Sequence, residues 1–248
     1  MGWIEVPLTV NGYTYPARFR EETVEGVLMP LLGRLTTLAR ERGGRVVAFL
    51  AAPPGTGKST LCTMLEMLSR TREGIEPVQY LGLDGFHHYN EWLDEHTTER
   101  DGKVVFMRLV KGAPETFDAS HFAEKLAQLR AGGPVNWPEY DRNLHDPRED
   151  AVEVTARVAL IEGNWLLLDE EPWATIAEQA DYTVFVGADE ADLRERLVAR
   201  KTKGVGRERA LAHYEQADGP NVRLVLERSL PADLSLRMTP DGDYVLVG

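Results

Sequence analysis

Val46-Val47-Ala48-Phe49-Leu50 runs directly into Ala51-Ala52-Pro53-Pro54-Gly55-Thr56-Gly57-Lys58-Ser59-Thr60, and a helical pattern follows from Leu61 to Leu68. An apolar run, a glycine-rich loop and an amphipathic helix in that order predict a buried strand, a phosphate-binding P-loop and a helix whose N-terminus faces the ligand. The chemistry dictates the residue types. Backbone N–H groups must curl around phosphate oxygens, an ammonium must reach the outer phosphates, and a hydroxyl must face magnesium. Pro54, Gly55, Thr56, Gly57, Lys58, Ser59 and Thr60 are therefore the candidate nucleotide-binding residues, with Ser59 also a candidate metal ligand. The usual pattern opens with a glycine where this chain has Ala52, a change tolerated only if φ there is negative. A nucleoside triphosphate is the expected cofactor.

Outward from this loop, the chain reads as one α/β domain. Its 248 residues suffice for a full core without disulfides, and the single cysteine, Cys62, suits a reducing cytoplasm. No basic leader with an apolar core is apparent, and no run of about 18 apolar residues occurs, so neither export nor membrane insertion is expected. A net charge of −12 disfavours nucleic acid and anionic lipid and favours a small-molecule partner. Trp3–Val10 and Tyr13–Phe19 flank Asn11-Gly12, the strongest two-residue hairpin signal, and their prolines predict edge strands that cover one side of the domain or pair with a second copy in a homodimer. Helical spacing follows from Glu21 to Arg40. Strands are expected at Val78–Leu83, Ala156–Ile161 and Tyr182–Val186, with helices at Phe117–Leu129, Trp173–Ala180, Glu190–Arg200 and Arg207–Gln216. Alternating strands and helices imply a parallel sheet flanked by helices. Leu234–Met238 and Tyr244–Val247 around Pro240-Asp241-Gly242-Asp243 predict a second hairpin. The expected organisation is a hairpin and helix over 1–44, a core over 45–230 and a terminal hairpin over 231–248.

A second chemical feature closes the Val78–Leu83 strand. Asp84-Gly85-Phe86-His87-His88 places a carboxylate and two imidazoles at the carboxyl end of a core strand, where open α/β sheets bind ligands. Asp84 is the candidate general base, since phosphoryl transfer needs a carboxylate to take the proton of the attacking hydroxyl. Glu162 follows the Ala156–Ile161 strand and is the matching candidate for holding magnesium. Tyr140 offers a stacking face, Asp141 an acceptor and Arg142 a cation for a bound molecule.

With these residues in view, the chain resembles the P-loop kinase family that includes uridine kinase, phosphoribulokinase, bacterial pantothenate kinase and the kinases associated with fructose uptake. The resemblance extends over most of residues 45–225. It rests on 52–60, Leu83-Asp84-Gly85-Phe86-His87, Lys111-Gly112-Ala113-Pro114-Glu115-Thr116-Phe117-Asp118, the 138–146 segment, Ile161-Glu162-Gly163-Asn164 and Asp218-Gly219-Pro220-Asn221. It implies a P-loop NTPase-type fold, ATP and Mg²⁺ as cofactors, Asp84 as base, and an acceptor faced by Tyr140 and His145. His87, His88, Lys111, Asp141, Arg142 and Asn221 complete the implied substrate set. The basic run Arg194, Arg196, Arg200, Lys201, Lys203 and Arg207 around Gly204 and Gly206 resembles the helical lid of these kinases, spanning about 194–216. Arg196 and Arg200 are the candidates for neutralising charge on the transferred phosphoryl group beside Lys58.

Outside the 138–146 segment the phrasing is closest to the fructose-uptake members, so a sugar or sugar-like acceptor is expected ahead of uridine, other nucleosides or pantothenate. Two other classes stay open at this point. Trp165-Leu166-Leu167-Leu168-Asp169-Glu170 matches the apolar run with Asp-Glu of a transport or motor ATPase, and a nucleotide-binding regulator would keep Lys58 without needing Asp84 or Arg200.

Overall fold

The computed structural model describes residues 2–100 and 102–247. The strands are β1 (Trp3–Val10), β2 (Tyr13–Arg20), β3 (Val46–Ala51), β4 (Val78–Gly82), β5 (Thr97–Arg100), β6 (Lys103–Phe106), β7 (Asn136–Asp141), β8 (Asp146–Glu153), β9 (Val158–Gly163), β10 (Tyr182–Gly187), β11 (Leu234–Met238) and β12 (Tyr244–Leu246). Six of them form the central sheet in the order β12-β11-β10-β3-β9-β4. All neighbours in it run parallel except β11 and β12.

The alternation of β3 explains the layers. Val46, Ala48 and Leu50 face one cluster, shared with Leu32 and Leu35 of the helix Met29–Arg42 and Leu61 and Leu65 of the helix Lys58–Thr71. Val47, Phe49 and Ala51 face the other, built on Phe122, Leu126 and Leu129 of the helix Ala119–Ala131 together with Trp137 and Trp173. Successive side chains of a strand point to opposite faces, so an entirely apolar, entirely buried strand requires helices on both sides.

The N-terminal hairpin forms as expected. Asn11 (φ 53°) and Gly12 (φ 80°) both adopt the left-handed conformation a tight hairpin turn needs, and Pro7 lies opposite Pro16 in a two-stranded sheet of its own. Leu8, Val10, Ala17 and Phe19 join the first cluster. A π-helical turn at Val24–Leu28 precedes Pro30, which then sits harmlessly in the first turn of the following helix. The C-terminal pair forms the expected antiparallel hairpin. Leu236 and Met238 are buried, so β11 docks beside β10 and the pair becomes the edge of the central sheet. Two further hairpins form, β5–β6, whose strands are separated in the sequence by the hairpin dipeptide Asp101-Gly102, and β7–β8, which has no such signal. The last helix, Gly219–Arg228, begins on Asp218-Gly219-Pro220-Asn221. No helix among the described residues is long and apolar enough to cross a membrane.

The turn after β4 is held tightly. Phe86 packs edge-on against Trp137 (4.8 Å between ring centres) and Phe122 (5.0 Å), and the Trp137 indole donates to the Gly82 carbonyl at 2.9 Å. Gly85 lies flat against β7, where a Cβ would run into the Pro138 carbonyl. Replacing Gly85 with Ala should therefore cost about 1–3 kcal/mol through overpacking against backbone. Urea denaturation checks this, and a midpoint equal to wild type would contradict the close approach.

Candidate active site

The parallel sheet brings three strand ends together. β9 lies between β3 and β4, with Glu162 in register with Leu50 on one side and Gly82 on the other. The P-loop leaves β3, Asp84 leaves β4, and Glu162 stands between them.

In the loop, Gly55 (φ 91°) and Gly57 (φ 79°) are left-handed, whereas Ala52 lies outside that region, as its side chain demands. Thr56 is buried and donates its hydroxyl to the Pro53 carbonyl at 2.9 Å, so the side chain braces the loop and leaves its backbone to face a ligand. The Tyr244 hydroxyl, buried on β12, donates to the Thr56 carbonyl at 2.9 Å. Burial pushes its ionisation well above the ordinary tyrosine range, so it stays a donor. With these carbonyls tied back, the loop's N–H groups are left for an anion.

Glu162 is buried. Its Oε1 accepts from the Ser59 hydroxyl (2.8 Å) and the Tyr80 hydroxyl (2.9 Å), Lys58 Nζ lies 3.9 Å from Oε2, and Oε2 has no hydrogen-bond partner. Burial raises the Glu162 pKa, Lys58 opposes the shift and the Asp84 charge adds to it. A hydroxyl beside a buried carboxylate with one unspent oxygen suits a hard divalent cation that shares its ligands with phosphate and water. No group of three His, Cys, Asp or Glu side chains among the described residues makes a metal site by itself.

Two clefts meet here. One, of ≈ 440 Å³, is bounded by Gly55, Gly57, Lys58, Ser59 and Thr60 and roofed by Arg196 and Arg200 of the helix Glu190–Val205, with Lys203 beyond them. Arg196 Nε donates to the Gly55 carbonyl at 2.9 Å, so one basic side chain of the expected lid already touches the loop. The other cleft, of ≈ 680 Å³, holds Asp84, Tyr140, Asp141, Arg142 and Glu162. Asp84 is about half exposed, with Arg142 at 3.7 Å from Oδ2. Asp141 caps the β7–β8 turn, accepting from Asn143 N (2.8 Å) and Leu144 N (3.1 Å), bonds that hold its carboxyl below the usual range.

The remaining candidates are not among the residues that line this cleft. His87 is buried against Phe117 and Tyr140, with Nδ1 2.8 Å from the Asp84 carbonyl oxygen, and burial lowers its pKa. A neutral ring donating from Nδ1 fixes the Asp84 turn. His88 stacks on Trp92 at 3.8 Å. Lys111 donates to Asn90 Oδ1 and the His145 carbonyl, both at 2.7 Å, and lies 5.0 Å from the Tyr140 ring centre. His145 takes a left-handed φ of 56° at the β7–β8 turn, and Asn221 packs near Gly112. The structure thus groups Lys58, Ser59, Glu162, Asp84, Tyr140 and Arg142, and sets His87, His88, Lys111, His145 and Asn221 in a supporting layer. The ATPase-like run does not form a strand: Trp165–Leu168 is a buried turn, and Asp169 and Glu170 are exposed.

Several site residues were not singled out from the sequence. Tyr80 and Tyr244 look like ordinary strand aromatics, and their roles depend on which hydroxyl partner lies across the sheet. Thr9, Asn11 and Tyr13 of the hairpin also line the larger cleft, and Tyr15 the smaller. The signal available for them was the common face of Tyr13 and Tyr15 beside an Asn-Gly turn.

Comparison with known proteins agrees with this geometry. The model of the phosphoribulokinase / uridine kinase family matches residues 47–226. The chain is 46% identical over 243 residues to the uncharacterised protein YggC of Escherichia coli (strain K12), covering 97% of this chain and 98% of that one. It is 30% identical over 200 residues to a proposed uridine kinase of Schizosaccharomyces pombe, covering 78% and 83%. Among solved structures, a proposed fructose transport system kinase from Silicibacter sp. TM1040 superposes with a TM-score of 0.70 at 33% identity, covering 81% of this chain and 98% of that one. Family model, relatives and fold converge on one assignment: the chain belongs to the phosphoribulokinase / uridine kinase family of P-loop kinases.

Proposed function

We propose that this small-molecule kinase uses ATP and Mg²⁺ to phosphorylate a hydroxyl of a sugar or sugar-like metabolite. The observation that carries this reading is the trio of neighbouring strand ends presenting Lys58 and Ser59, Glu162, and Asp84 to two adjoining clefts. A donor phosphate on the P-loop and an acceptor beside Asp84 then meet across Glu162. The similarity to a proposed fructose transport system kinase supports a sugar ahead of a nucleoside or pantothenate.

In this reading the loop N–H groups and Lys58 bind the phosphates, and Ser59 with Glu162 holds the metal. Bound Mg²⁺ supplies charge neutralisation at the phosphates. Asp84 accepts the proton of the acceptor hydroxyl, oriented from behind by His87. Arg196 and Arg200 stabilise negative charge on the transferred group and, by covering the smaller cleft, exclude the water that would otherwise receive the phosphoryl group. A regulator that only binds nucleotide has no need of a half-exposed carboxylate facing a second cleft.

The test is ADP release from Mg-ATP against sugars, polyols, nucleosides and pantothenate, with a no-acceptor control. Acceptor-dependent release is expected; release indifferent to every acceptor contradicts the reading. Asp84→Asn should keep nucleotide affinity and lower turnover at least ~100-fold, the scale of a lost general base, and near-normal turnover removes Asp84 from the mechanism. Lys58→Ala is expected to weaken both nucleotide affinity, measured by calorimetry, and rate; unchanged values for both contradict the phosphate assignment.

A further inference from the structure

The hairpin β1–β2 lies outside the 47–226 span matched by the family model, yet its tip stands over the site. Its root is fixed by the burial of Leu8, Val10, Ala17 and Phe19. Its tip is fixed as well: the Tyr15 hydroxyl bonds Thr60 Oγ1 at 2.6 Å, on the first turn of the helix that carries Lys58 and Ser59. Asn11 lines both clefts, Thr9 and Tyr13 the larger one, and Tyr15 the smaller. Tyr13 leaves 70% of its surface exposed while bordering the larger cleft, an aromatic face on which no ring or cation is stacked among the described residues.

The charges of the larger cleft narrow what belongs there. Its two cations are already paired, Arg142 with Asp84 at 3.7 Å and Arg148 with Glu139 at 3.2 Å. Glu66 and Glu162 also have cation partners, Arg70 at 2.8 Å and Lys58 at 3.9 Å, but those cations stand outside the lining, and no lysine lines the cleft among the described residues. Five carboxylates, Glu66, Asp84, Glu139, Asp141 and Glu162, line the cleft against two arginines, so an acceptor bearing a phosphate or carboxylate meets an excess of negative charge. Carboxylates, an amide and a phenol ring instead match a neutral molecule with several hydroxyls, bound through hydrogen bonds and one stacked face.

We propose that the hairpin tip is the outer wall of the acceptor site, where Asn11 and Tyr13 contact a neutral polyhydroxylated acceptor and the Tyr15–Thr60 bond sets the wall's distance from the phosphate loop. This rests on the kinase reading above and adds to it a specificity element that the family core does not contain. The acceptor hydroxyl attacks the outermost phosphorus of ATP, the bond from that phosphorus to ADP breaks, and the hydroxyl proton passes to Asp84. The hairpin takes no part in that exchange of bonds. It holds the ring.

Two measurements separate this claim from the kinase reading. Saturation-transfer NMR with neutral sugars, polyols and nucleosides, their phosphates, and pantothenate, in the presence of a non-hydrolysable ATP analogue, reports acceptor binding without turnover. Steady-state kinetics with the best neutral acceptor then compares wild type, Asn11→Ala, Tyr13→Ala, Tyr13→Phe and Arg18→Ala, the last a hairpin control lining neither cleft. The expected result is binding of neutral probes only and an acceptor KM raised about three- to tenfold in Tyr13→Ala and Asn11→Ala, the size of one lost contact. The KM for ATP stays level in Tyr13→Ala, Tyr13→Phe keeps the ring and loses less acceptor affinity than Tyr13→Ala, and Arg18→Ala resembles wild type. Tight binding of phosphorylated probes, no binding of any neutral probe, or an acceptor KM and NMR response unchanged in both alanine variants overturns the proposal. Neutral probes that bind through Tyr13 without being phosphorylated would contradict the kinase reading and leave the hairpin wall standing.

Discussion

Glu162 is the residue on which the arrangement turns. A carboxylate buried at the end of β9 is costly unless it is satisfied, and the neighbours that satisfy it are the functional groups themselves: the Ser59 hydroxyl, the Tyr80 hydroxyl and, farther off, the Lys58 ammonium. The same carboxylate therefore ties the first turn of the P-loop helix, through Ser59, to the strand that leads to Asp84, through Tyr80. Its second oxygen, left without a hydrogen-bond partner, is the group that a metal or a closer Lys58 would satisfy. Cys62, buried one turn into the helix, feels the same site: burial first, then the charge of Glu162, pushes its thiol up and leaves it an unreactive part of the helix face.

Segments at both ends of the chain brace the loop that the middle supplies. Tyr244 from β12 holds the Thr56 carbonyl, and Tyr15 from β2 holds the Thr60 hydroxyl. The two ends are also tied to each other: Phe19 stacks on Tyr244 with ring centres 6.3 Å apart, and Thr23 donates to Asp243 at 2.6 Å. Gly57 is needed twice over, for its left-handed φ and because a Cβ would come within 2.8 Å of the Tyr244 hydroxyl. The rigidity of the phosphate loop thus depends on pieces far from it in the chain.

What could be read from the sequence follows the range of the forces involved. The strand, loop and helix at 46–68 are local, so periodicity and glycine placement sufficed for them, and the position of Asp84 at the end of a core strand followed from the general rule for open α/β sheets. Asn11-Gly12 likewise announced its turn. The β7–β8 hairpin was harder, because its turn depends on Asp141 capping Asn143 and Leu144 and on a left-handed His145 instead of a glycine. The supporting roles of His87 and Lys111 were not legible, since a residue type suited to chemistry looks the same when its hydrogen bonds are spent on neighbouring backbone. The C-terminal pair was legible as a hairpin, but its docking beside β10 is a long-range pairing that local pattern does not encode.

The central claim is that the two clefts exchange a phosphoryl group across Glu162 and keep water out of the exchange. Phosphorus NMR of a reaction mixture containing the enzyme, Mg-ATP and the preferred acceptor tests it directly. The account predicts a phosphoester signal that grows in step with ADP, with little inorganic phosphate; inorganic phosphate as the sole product would contradict it.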